Sequence, residues 1–154
     1  MLKKRIVTGL LAGIIASFPL GAATVSVLIM ETGMSADNPN GQYAIVWENS
    51  LLEVFFDMGH IVSNSPIMQI TEKPAGDFPD EAYRDYGDAH NGGMEYFIIA
   101  IVDYRLPNVS LRLFNTKSPK MIMEHKYAVT TFKNTKDEND NIKKAVRTMA
   151  AHLK

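Results

Sequence analysis

Glu81, Asp85 and Asp88 stand four and three residues apart, a spacing that puts three carboxylates on one face of a helix, and His90 follows just after. Oxygen donors gathered this way are the raw material of a divalent-cation site, and with an imidazole beside them, of a small enzyme centre. Ordinary surface helices carry such acids too, and nothing in the spacing fixes a coordination geometry. The primary reading is therefore a solvated helix face with no metal, no cofactor and no catalytic residue. The four histidines, His60, His90, His125 and His152, form no His-x-x-x-His pair. Asp137-Glu138-Asn139-Asp140-Asn141 starts like a calcium loop, but Ile142 stands where glycine is required and Thr148 where the bidentate glutamate belongs. No Gly-x-Ser-x-Gly elbow and no phosphate-cradling glycine loop occur. Alternation puts His125 on the inward face of a strand, where a hydrogen-bonded core role is expected, and the scattered methionines read as core filling.

The elements that would position these groups begin after residue 23. Lys3-Lys4-Arg5, the apolar stretch Ile6 to Leu20 and the small residues Gly21-Ala22-Ala23 have the three-part pattern of a secretory signal cleaved before Thr24. Removal of residues 1–23 leaves 131 of the 154 residues, one domain's worth, numbered 24–154. The chain has no cysteine, so packing rather than disulfides must hold it and no lipid can be attached through an amino-terminal cysteine. A periplasmic or secreted protein with no stable membrane insertion is expected. Residues 24–103 carry 13 acidic and 2 basic side chains (−11), and residues 104–154 carry 4 acidic and 11 basic (+7). The two halves are expected to interleave so that these charges offset. Nucleic acid is not expected as a partner, because no recognition motif accompanies the basic half and export argues against it.

Met94 to Tyr104 organises the rest. Phe97-Ile98-Ile99-Ala100-Ile101-Val102 is apolar without interruption, as a strand covered on both faces must be. Thr24 to Met30 is a first strand; Gly41 to Met58 shows helical spacing through Ala44, Trp47, Leu51, Val54, Phe55 and Met58, and Gly59 stops it. A second strand starts at Ile61-Val62, bends at Ser65-Pro66 and resumes at Ile67 to Ile70. A short helix starts at Pro79-Asp80-Glu81. Two alternating strands, around Val109 to Leu113 and Met121 to Thr130, flank a hairpin loop, and Thr135 to Glu138 caps a closing helix striped by Ile142, Val146 and Met149. The order β-α-β-α-β-β-β-α predicts an α/β single domain: a mixed five-stranded sheet with about three helices.

This pattern, with Leu51-Leu52-Glu53-Val54-Phe55-Phe56-Asp57-Met58-Gly59-His60-Ile61-Val62 closing a helix into a strand and Gly93-Met94-Glu95-Tyr96-Phe97-Ile98-Ile99 entering the central strand, resembles a group of bacterial-envelope α/β domains. The group includes the amino-terminal domain of TolB, the curli-export lipoprotein CsgG and the penicillin-binding-protein activator LpoB. The resemblance implies a non-catalytic binding or assembly module that contacts other envelope proteins. From the alternation, Arg112, Phe114, Ile122, Lys126 and Phe132 share the outward hairpin face, where apolar groups among charges suit partner binding. The alternative function is a small periplasmic enzyme or divalent-cation-binding protein using Glu81, Asp85, Asp88 and His90.

Overall fold

The computed structural model describes residues 21–34, 42–106, 108–129 and 135–153. Strand β1 (Thr24–Thr32) is followed by helix α1 (Gln42–Asp57), short strands β2 (Ile61–Asn64) and β3 (Met68–Gln69), and a 3₁₀ turn at Asp80–Ala82 that runs into α2 (Tyr83–Asn91). Then come β4 (Tyr96–Asp103), β5 (Asn108–Asn115), β6 (Ser118–Ala128) and α3 (Lys136–Ala150). The strands form one mixed sheet in the order β2-β1-β4-β5-β6, with β3 also on β1. Pairings of β1 with β2, β3 and β4 are parallel, and β4-β5-β6 is antiparallel. Helical crossovers bring strands back parallel and tight turns bring them back antiparallel, so connection length sets the pairing.

β4 lies in the middle of the sheet, and Phe97 to Val102 are buried on both faces. One face packs Val25, Val27, Ile29, Ile98, Ala100 and Leu111 against Trp47, Leu51 and Phe55 of α1 and Ile142, Val146 and Met149 of α3. The other packs Leu28, Met30, Phe97, Ile99, Ile101 and Phe114 under Ala82, Ala89, Phe78 and Tyr86. Gly59, at φ +83°, turns the chain out of α1, and the His60 and Gly59 amides donate to the Phe55 and Phe56 carbonyls.

The sheet has six strands where the sequence suggested five, because the bend at Ser65-Pro66 splits the second strand into β2 and β3, both parallel to β1. The charged halves do not interleave in the sheet: β2, β1 and β4 come from the acidic half, β5 and β6 from the basic half, and the sheet joins them only along β4–β5. Across the helices Lys143 of α3 meets Glu53 of α1 at 2.6 Å.

Candidate functional site

Of the groups read from the sequence as a possible cation face, only Asp85 and Asp88 line the same recess. Glu81 lines a recess with Gln69, Thr71 and Glu72, Asp85 and Asp88 line a second under α2, and His90 lines a third beside Thr116 and Lys117. Among the described residues no group of three or more His, Cys, Asp or Glu side chains is placed to hold a metal ion.

The hairpin face read as outward is largely internal. Phe114 is fully buried beneath Phe78, whose ring stands edge-on to it at 5.0 Å. Arg112 is buried too, and its Nη1 donates to the carbonyls of Gly76 and Asp77 at 2.9 and 2.8 Å, pinning the segment that carries Phe78 over the sheet. Its Nε donates to Glu124 Oε1, which also accepts from the Ser110 hydroxyl at 2.7 Å. The Ser110 hydroxyl, then the Arg112 and Lys126 charges, hold the Glu124 carboxyl below its ordinary range. Ile122 and Lys126 are exposed, Ile122 lying where the β5–β6 register shifts between Leu113 and Phe114. Phe132 lies outside the described residues.

At the carboxyl ends of β1, β3 and β4 a cleft of about 790 Å³ is lined by Glu31, Thr32, Gln69, Thr71 and Arg105 among others. This is where the chain leaves β1 and β4 in different directions, the usual place for ligands in open α/β sheets. Its polar groups are tied to one another. Buried Glu31 accepts from the Tyr104 hydroxyl at 3.3 Å and the Gln69 amide at 3.4 Å, and Arg105 binds Asp103 Oδ1 at 3.2 Å and the Thr32 hydroxyl at 3.4 Å. Gly33, at φ +70°, lets Arg105 approach: a Cβ there would stand 2.7 Å from Arg105 Cγ. Among the described residues no serine, threonine or lysine side chain hydrogen-bonds a histidine ring.

The exposed apolar groups lie elsewhere. Tyr43, Ala44, Val46, Trp47, Ser50, Leu51, Val54 and Phe55 of α1 face inward. Ile45, Leu52 and Phe56 fall seven and four residues apart on a separate line. Phe56 is 75% exposed, and across the Gly59 turn Met58 and Ile61 are 46% and 61% exposed. The expected core role of Met58 is therefore not what the fold gives: α1 ends at Asp57, and Met58 lies in the exposed turn that follows. This strip was missed in the sequence, although α1 offers a signal, since Leu51, Leu52, Phe55 and Phe56 exceed what one buried face needs.

No protein-family model matches the chain, and no curated protein matches its sequence. Among solved structures it is similar to a PelC dodecamer subunit from Paraburkholderia phytofirmans, at 9% identity over 86% of this chain and 87% of that one, with a TM-score of 0.48. The LpoB C-terminal domain from Escherichia coli is similar at 15% identity over 72% of this chain and 84% of that domain, TM-score 0.46. TolB from Acinetobacter baumannii is similar at 12% identity over 88% of this chain and 30% of that protein, TM-score 0.43. These are likenesses in the course of the backbone. Among the described residues no helix is long and apolar enough to cross a membrane.

Proposed function

We propose that this chain is an exported, non-catalytic binding or assembly module of the bacterial cell envelope that works through protein contacts. In this reading residues 1–23 are a cleaved signal peptide, residues 24–154 form the domain, and the partner is another envelope protein. The observation that carries it is the apolar strip of exposed Ile45, Phe56, Met58 and Ile61, with half-buried Leu52 between them, which crosses from α1 to β2. Large apolar side chains grouped on a surface cost solubility, and burial against a partner recovers about 25 cal/mol for each Å² removed from water. Ile122 and Lys126, the exposed remainder of the hairpin surface, are a secondary contact in this proposal. The test is a Phe56→Ser, Ile61→Ser double variant, followed by thermal unfolding and by crosslinking in the native envelope. An unchanged melting temperature with loss of the crosslinked adducts is the expected result. Adducts that persist would remove the strip as the docking surface, and a variant that unfolds would show that these side chains are core.

A further inference from the structure

Asp85 sits in the first turn of α2 and is 6% exposed, yet its Oδ2 accepts no hydrogen bond. The cationic group paired with it is Arg84 Nη2, 3.9 Å away on a side chain that is 81% exposed, too distant and too wet to compensate a buried charge. The amino-terminal end of a helix favours an anion but gives this oxygen no donor. Asp85 lines a recess of about 170 Å³ between α2 and the parallel pair β1–β2. Its other polar walls are Ser26, Ser63, Asn64, Ser65 and Asp88. The register puts Ser26 directly opposite Ser63, and the Ser65 amide continues the pairing by donating to the Val27 carbonyl at 2.9 Å. Ser26 alternates with Leu28 and Met30 of the core beneath α2, so its hydroxyl is on the face that Asp85 covers. Asn64, next to Ser63 on β2, donates its amide to Glu48 Oε1 of α1 at 2.8 Å, so its side chain lies on the other face of the sheet and is no donor to the recess.

From this we infer a binding site for a hard divalent cation in the recess, held by the Asp85 carboxylate with Asp88 and the serine hydroxyls. Two carboxylates and three hydroxyls are the donors that calcium and magnesium select, and the Met94 thioether is the only soft atom in the lining. The cation supplies what the fold withholds, a positive charge against a buried, unpaired carboxylate oxygen. Glu81 and His90, which line other recesses, take no part. The site is independent of the apolar strip and of any protein partner.

The test is calorimetric titration of the protein purified from its host and stripped with a chelator, using calcium chloride and magnesium chloride as separate probes. One-to-one binding of at least one of them is expected, with a melting temperature raised by about 5 °C or more at saturation. Asp85→Asn removes both effects, Ser63→Ala weakens binding while keeping the charge, and Glu81→Gln and His90→Gln leave binding unchanged. If Asp85→Asn fails to fold, judged by circular dichroism, Ser63→Ala decides. No binding and no thermal shift with either salt overturns the inference, as does binding that is insensitive to Asp85→Asn or Ser63→Ala, or that is lost on replacing Glu81 or His90.

Discussion

Burial first, and the neighbouring Glu31 carboxylate second, push the Tyr104 hydroxyl from 10.0 up to about 12. Burial raises Tyr43 further, with help from its hydrogen bond to Glu138. The folded protein therefore holds these phenols in their neutral form more firmly than the unfolded chain does. That contribution is whole below pH 10 and is lost as pH rises from 10 towards 12. Thermal unfolding between pH 9 and 12 should show it as a falling melting temperature, and Tyr104→Phe should shallow the fall; superimposable profiles would remove Tyr104 as a cause. Phe114 offers a second test. Truncation to alanine under Phe78 opens a cavity and should cost about 3–5 kcal/mol in denaturant unfolding, whereas a surface phenylalanine would cost almost nothing. Alternation along β5 groups Ser110, Arg112 and Phe114 on one side, and the fold agrees. What alternation could not show is that residues 71–78 fold over that side, since the loop has no period and its anchor is a single phenylalanine held down by two carbonyl–arginine hydrogen bonds.

Elements with strong periodicity were legible. α3 begins where the sequence placed it, with the Thr135 hydroxyl accepting from the Glu138 amide at 3.2 Å, and its stripe is buried against the sheet and α1. Val146→Asp should accordingly abolish the cooperative thermal transition, because the carboxylate would be buried with no partner, at a cost of several kcal/mol against a total margin of about 5–15. A normal transition would mean that α3 is peripheral. Two-residue β3 was visible only as a possible resumption after Pro66, since two residues carry no alternation to read. The sequence places the hairpin loop between Leu113 and Met121, but β5 and β6 already pair at Asn115 and Ser118, and the register absorbs the difference around Ile122. That irregularity, with Pro119 and Lys120 near the start of β6, also blunts the outer strand of the sheet against unwanted pairing.

At the scale of the whole molecule, the charge difference between the two halves of the sequence becomes a lateral polarity. β2, β1, β4, α1 and α2 carry the acidic half, and β5, β6 and α3 the basic one. Composition gave the size of the imbalance but not its direction in space, which depends on strand order. The apolar strip and the Asp85 recess both lie on the acidic side, between α1 or α2 and β2. The strip was not legible as a site, and of the recess only Asp85 and Asp88 were. The strip required knowing which line of α1 the sheet leaves uncovered, and the recess required the pairing of Ser26 with Ser63, residues far apart in the chain and unremarkable in each segment.

The position of β1 inside the sheet also dictates the order of assembly. β1 is the first strand of the domain to be synthesised, and its long partner is β4: Thr24 and Glu95, hydrogen-bonded at 3.0 Å, are 71 residues apart. Until β4 is available, β1 has only the short strands β2 and β3, and closing so large a loop precedes most of the stabilising pairing. A nascent chain is thus expected to stay open until β4 is available and to close late, with β4, β5 and β6 following one another by local turns. A fragment of residues 24–92 should lack protected amides in hydrogen exchange, while the domain extended through α3 should acquire them together; a stably folded 24–92 fragment would show that β1 has no need to wait.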